Sequence, residues 1–435
     1  MPLKPDISSV SISTAERASS GEPAPSLLPV AILPPDWSNR RIFSLMWPLV
    51  VEQLLSVTMG VADTVMVSSV GEFAVSGVSI VDTINFLLIT TFTALATGGA
   101  VVTSQYIGRG DRGNTSSSAR QLIYVSLFTS VIMMIFALIT HNSILRIIYG
   151  NIEPDVSRAA RIYFIITALS YPFLALYSAA SALFRSMGNS RITMLVALLV
   201  NIINVAGNAL FIYGMDMGVG GAALSTLIGR FIAAFILLYT LIRGKKKIID
   251  LSRITRLTID TAMLKRILNI GIPSGLEASM FQVGKILIMR IFTFFGTTAI
   301  AANAVTATIN SLGFMPGNAF GMGLLIIAGQ CIGAKDYNGA RRYTKKIIIF
   351  SYLFYFIVNI NVMIFKNPII GIFHLSPDAY KLCASFINVH CITSTLFWCM
   401  SFVVPSALKA AGDARYVMIV AASTMWIVRV SAAFI

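Results

Sequence analysis

Residues 51–67 read VEQLLSVTMGVADTVMV. Apart from Glu52 and Asp63, the stretch suits only lipid or a protein interior. With its flanks it is long enough to cross a bilayer, whose core of about 30 Å needs roughly 20 apolar residues in a helix. Working outward, similar stretches lie near 42–69 (which contains it), 77–107, 119–140, 160–183, 192–213, 219–242, 262–295, 298–332, 347–365, 382–408 and 416–435, eleven in all. The 435 residues are 56% apolar and only 12% charged, far below the roughly 25% that covers a soluble surface. The sequence therefore predicts an all-α polytopic membrane protein.

Residues 1–37 are Ser- and Pro-rich, without the basic start, apolar core and cleavage site of a signal peptide, and predict a disordered cytoplasmic tail. The net charge is +15. If Arg40 and Arg41 lie in the cytoplasm and the spans alternate, most Lys and Arg fall inside, and only Arg146, Arg158, Arg161, Lys366 and Lys381 fall outside. That bias predicts a multi-pass protein of the inner (plasma) membrane with its N-terminus in the cytoplasm. The excess charge orients the chain, so its partner is the lipid bilayer and not nucleic acid. The basic run over 244–260 reads as a solvated linker touching anionic headgroups. Cys331, Cys383, Cys391 and Cys399 show no CxxC spacing and predict free, buried thiols. There is no G-x-x-x-x-G-K-[ST] phosphate loop, no H-E-x-x-H, no G-x-S-x-G and no Cys/His metal cluster. The expectation is a protein that is not an enzyme, with no cofactor or metal, driven by an ion gradient of H⁺ or Na⁺.

The chain repeats itself. An offset of 225 residues sets Pro48 on Pro273, Glu52 on Glu277, Gly71 on Gly296, Gly108 on Gly333 and Asp111 on Asp336. SALFRSMGNSR from Ser181 meets SALKAAGDAR from Ser406 with one residue deleted. Each unit holds six helices, an even number, so both start on the same side as parallel repeats about an axis along the membrane normal. The expected organisation is a lobe over 38–243, the linker, and a second lobe over 261–435, the two flanking a central cleft. The helix at 219–242 has no counterpart, so twelve helices are expected of which about eleven are present, the second lobe ending before helix 12.

A charge at bilayer depth costs about 2.5–3.5 kcal/mol on insertion scales and needs a partner, a proton or a purpose. Glu52 and Asp63 share one face of the first span, Glu52 near the cytoplasmic end within reach of water or Arg41. Asp63 lies deeper, where desolvation penalises its charge, so it reads as a site that exchanges a proton or takes Na⁺ with other oxygens. Candidate partners are Asp82 and Asn85 on the second span and the stripe Asn201, Asn204 and Asn208 on the fifth. An Asn stripe also glues helices together, and for any single Asn that is the simpler reading. In the second lobe Glu277, Gln282, Lys285 and Arg429 are cleft candidates, as are Glu52, Asn85 and Tyr171 in the first and His390, which reads first as a packing residue. Lys285 is expected to pair with an acid across the cleft or with Glu277 through water, and Arg290 to snorkel. Pro48, Pro172, Pro273, Pro316 and Pro405 fall in or near spans, where each permits a bend.

WPLVVEQLLSVTMGVADTVMVSSVG, QYIGRGD, ALFRSMGNSRITM, NIINVAGNALFIYGMDMGVGGAALST and PSALKAAGDAR resemble the multidrug and toxic compound extrusion (MATE) family over residues 41–435. The resemblance implies twelve helices in two lobes and a cation-coupled antiporter that expels organic compounds by a rocking exchange; the expected partners are small organic substrates, cationic ones included, and the expected state is a monomer. It implies that Asp63 couples transport to H⁺ or Na⁺ and that Asn204 and Asn208 belong to the first-lobe site. Members with a second-lobe cation site carry Glu and Asp where this chain has Phe281 and Met400 or Ser401. Coupling is therefore expected in the first lobe, H⁺ ahead of Na⁺. The rival is a flippase for lipid-linked oligosaccharide, for which Arg230, Lys285 and Arg429 are few cations.

Overall fold

The computed structural model describes residues 37–149, 153–244, 248–251, 254, 258–373 and 375–434. The expectation for the tail over 1–36 lies outside the described residues, as do Lys245, Lys246, Lys247, Arg253 and Arg256 and the side chains of Arg290 and Pro316.

The helices follow the apolar spans. The first lobe runs α1 (Asn39–Ser68), α2 (Glu72–Arg109), α3 (Arg112–Tyr149), α4 (Pro154–Leu169), α5 (Tyr171–Ser186), α6 (Ser190–Asn208) and α7 (Gly218–Arg243). The second runs α8 (Thr261–Phe292), α9 (Gly296–Gly333), α10 (Tyr337–Gly371), α11 (Pro377–Phe402), α12 (Val404–Ala410), α13 (Ala414–Ser423) and α14 (Ser431–Phe434). Among the described residues seven helices are long and apolar enough to cross a membrane, and eight with the pair α4–α5, which bends by 48°. The fourth span of the first lobe is thus broken at Ser170, while that of the second runs over Pro377–Ala410 with a single-residue interruption at Val403; Pro172 and Pro405 stand in the first turn beyond. A proline there lacks only an N–H that has no helical partner anyway. Pro48, Pro273 and also Pro368 lie inside helices.

The repeat is visible in the backbone. Gly71 and Gly296 both have positive φ, as do Gly188 and Gly412, and Gly110 (φ 68°) is matched by Lys335 (φ 59°). Asp111 accepts from the Asn114 backbone N–H at 3.0 Å, and Asp336 accepts from that of Gly339 at 2.8 Å, so equivalent acids cap α3 and α10. The lobes cross with the same symmetry. A Cβ on Gly108 would strike the Gln330 backbone, and one on Gly333 that of Gln105. Gln105 donates to the Ala410 carbonyl at 2.8 Å while Gln330 donates to that of Ser186 at 2.7 Å. These four residues fasten the lobes together at the end where α2 and α9 finish and α1 and α8 begin.

Two expectations at that end change. Trp37, expected in the tail, is buried, donates its backbone N–H to the Tyr343 hydroxyl at 3.2 Å and lies under the Arg41 guanidinium. The linker is not simply solvated: Ile249 and Leu251 are buried, and Gln121 and Tyr124 of α3 donate to its Thr258 and Ile254 carbonyls. Apolar residues between the basic ones dock it on α3. All four cysteines are free and buried, as expected.

Candidate functional site

α1 and α6 pack side by side, with the Ser190 hydroxyl donating to the Leu45 carbonyl at 2.7 Å. This alignment carries the two polar residues of α1 to different partners. Glu52 is buried and accepts from the Thr193 hydroxyl at 2.8 Å, and the Arg185 guanidinium lies 3.8 Å away. Its partner is thus Arg185, not Arg41. Glu277, at the equivalent position of α8, meets Lys409 at 2.7 Å. Arg185 and Lys409 are themselves equivalent, so each lobe ties its first helix to its fourth span with one ion pair. Both acids have a counter-charge within their own lobes, and Glu277 meets Lys409 instead of Lys285.

Asp63 lies three turns further along α1, half-buried. It accepts from the Asn208 side-chain amide at 2.6 Å and makes no ion pair among the described residues. Asn204, one turn earlier, donates to Thr226 at 3.3 Å, while its backbone carbonyl accepts from Ser225 at 2.7 Å. The Oδ1 atoms of Asn204 and Asn208 are buried and have no hydrogen-bond partner among the described residues. The α-helix gives way to a π-helical turn at Ala209–Gly214, directly after Asn208, a distortion common beside functional residues. Asn201 differs from its two neighbours: its amide folds back onto the Ala197 carbonyl.

The second polar group is centred on α2. Asp82 is exposed and accepts from the Tyr163 hydroxyl at 3.4 Å. Asn85 is buried, accepting from Tyr171 at 2.8 Å and donating to Thr167 at 3.5 Å. Arg230 of α7 donates to Ser170 at 2.6 Å, at the break between α4 and α5, with its charge within electrostatic reach of both Asp63 and Asp82. Below these groups a cavity of about 320 Å³ is lined by Glu52, Arg185, Asn201 and Arg230, with Met322 entering from α9. The structure therefore brings Asp63, Asn204 and Asn208 together, sets Asp82, Asn85 and Tyr171 beside them, and assigns Asn201 to the cavity wall.

The second lobe holds a different set. Lys285 and Arg429 flank the Phe281 ring, and Gln282 and His390 are half-buried on α8 and α11. The sequence reading passed over Arg185, Thr193, Tyr163, Ser225, Thr226 and Lys409. A signal existed for some of them: Arg185 and Lys409 stand at equivalent places in the repeated SAL segment, and Ser225 and Thr226 lie in GAALST.

Among known proteins, the chain is 27% identical to the uncharacterized transporter YisQ of Bacillus subtilis, over 91% of this chain and 87% of the relative. It is 26% identical to the probable multidrug resistance protein NorM of Thermotoga maritima, over 91% and 85% respectively. The fold matches a MATE crystal structure in the bent conformation (TM-score 0.83, 18% identity, 91% of this chain and 87% of the other). It also matches an outward-facing multidrug resistance MATE transporter of the MOP superfamily (TM-score 0.84, 18% identity, 91% and 87%). The MatE family model fits twice, over residues 48–210 and 273–435, the same 225-residue step as the internal repeat. The chain is a multi-pass membrane protein that belongs to the multidrug and toxic compound extrusion family, MatE.

Proposed function

We propose that the chain is a cation-coupled antiporter that exports small organic compounds by alternating access, with Asp63 as the carboxylate that takes up and releases the coupling ion. The observation that carries this reading is the state of Asp63: deep in α1, held by the neutral amide of Asn208, and without an ion pair among the described residues. A carboxylate locked to a guanidinium could not exchange its counter-ion, which is the condition of Glu52. H⁺ is the favoured ion, because one carboxylate suffices for it. Na⁺ is the second candidate, since a hard cation takes oxygen ligands and two nearby amide oxygens have no partner among the described residues.

Ion binding can bias the two arrangements of the lobes only through unequal affinity for them. In our reading the Gln105–Ala410 and Gln330–Ser186 contacts close the basic, cytoplasmic end, and the opposite arrangement breaks them. Loading of Asp63 from outside then accompanies substrate release, and unloading inside resets the site. The N-terminus lies in the cytoplasm of a plasma-membrane protein, and one copy holds both lobes and so suffices. The printed names of the relatives, multidrug resistance proteins, support organic substrates and do not favour the flippase alternative. The test is efflux of a fluorescent organic cation from proteoliposomes under an imposed H⁺ or Na⁺ gradient. Wild-type protein is expected to respond to one gradient and Asp63→Asn to neither. Undiminished efflux by the variant would refute the assignment.

A further inference from the structure

The two lobes share a backbone plan but carry opposite charge where their fifth helix meets their first. With the repeat offset, 225 before the one-residue deletion and 224 after it, Asp63 falls on Ile288 and Asp82 on Ala307, while Asn204 and Asn208 fall on Val428 and Ala432, so these acids and amides of the first lobe are absent from the second. In its place stand two cations. Lys285 is equivalent to Gly60, one turn before Asp63, and Arg429 to Val205, beside Asn204. Close packing of α8 on the π-helical turn after α13, where Gly284 leaves room only for the Met425 side chain, brings them together. Lys285 Nζ lies 5.8 Å and Arg429 Cζ 5.7 Å from the centre of the Phe281 ring.

Three further observations concern what these cations lack and where they point. Neither forms an ion pair among the described residues, because the nearby acid on the same helix face, Glu277, is engaged by Lys409. Both are exposed, and the residues one and two turns before Lys285 on α8, Phe281 and Glu277, touch Phe402 and Lys409 inside the lobe. Arg429 sits in a π-helical turn, Thr424–Val430, the second-lobe counterpart in kind of the π turn after Asn208. The indole N–H of Trp426, in the same turn, is a buried donor without a partner among the described residues. Donor-only groups are in surplus here, and two like charges at bilayer depth are costly unless an anion joins them.

We propose that Lys285 and Arg429, with Phe281 between them, form a second-lobe site for the oxyanion of an amphipathic organic compound, a carboxylate, sulfonate or phosphate, whose apolar body packs on the Phe281–Phe402 pair. The proposal rests on the transport reading for its purpose but not for its test, because binding is measured on purified protein in detergent with no gradient. Loss of ion coupling leaves that measurement standing.

The probes are rhodamine B and its ethyl ester, which share their rings and differ by one free carboxylate. Wild-type protein is expected to bind the free acid at least about tenfold more tightly than the ester, a difference within the range of a charge-assisted hydrogen bond. Lys285→Gln and Arg429→Gln should each remove most of that preference without weakening the ester, whereas Lys285→Arg and Arg429→Lys should keep it. Displacement of rhodamine B by lysophosphatidic acid but not by benzoate would identify a lipid headgroup as the occupant, and the reverse a soluble carboxylate; either supports the site. Equal or tighter binding of the ester by wild-type protein overturns it, even if every variant fails to fold.

Discussion

Glu52 and Asp63 occupy one helix face and have opposite fates, and the difference lies in what α5 and α6 bring to them. Arg185 and Thr193 reach Glu52, while neutral amides reach Asp63. Arg185→Met alone leaves Glu52 buried without a counter-charge and is expected to cost about 3 kcal/mol, more than the double change with Glu52→Gln. Thermal unfolding in detergent checks the order; a double variant less stable than the single one contradicts the ion-pair account. Tyr171→Phe should cost about 1–3 kcal/mol by stranding the buried Asn85 oxygen. Sequence made Asp63 and the Asn stripe legible, because an acid or a run of amides in an apolar span is conspicuous. It could not divide the stripe: Asn201 and Asn208 are two helical turns apart, and which of them meets Asp63 depends on how far α6 slides along α1.

The repeat makes the turns of one lobe predictive for the other. Lys335 holds the left-handed conformation that Gly110 adopts freely at the equivalent turn. Lys335→Gly should therefore stabilise the second lobe, by up to about 1 kcal/mol. The Asp111 and Asp336 caps should each be worth about 1 kcal/mol, lost on replacement by Ala. Backbone and side-chain donation from Asn114 holds the Asp111 carboxyl below the usual carboxylate range. Its contribution is thus complete above the unfolded carboxyl value and fades as pH falls through the lowered one, so Asp111→Ala should flatten the acid limb of a stability profile. The caps were readable as IGRGD and IGAKD. The breaks at Ser170 and Val403 were readable only as prolines, since a proline permits a bend without stating its angle.

Both lobes are fastened at one end by a pair of contacts that the internal symmetry generates twice. Gly108 and Gly333 allow the crossing, and the two Gln side chains latch it. Gly108→Val should force the lobes apart there and expose Cys331, which is fully buried beside Gln330. Maleimide labelling of that cysteine, read by peptide mass, is expected to accelerate, and an unchanged rate contradicts the latch. The 225-residue step was visible in the sequence because glycines and cap residues cannot be exchanged cheaply. The opposite charge of the two lobes was visible only residue by residue, since the pairing of Glu277 with Lys409, which leaves Lys285 without an acid among the described residues, joins helices over a hundred residues apart. The most direct measurement of the whole scheme counts ions and substrate in the same vesicles. Wild-type protein should move H⁺ or Na⁺ inward in fixed ratio to substrate expelled, and Asp63→Asn should move neither against a gradient. Substrate export by that variant with the ion count intact would contradict the account.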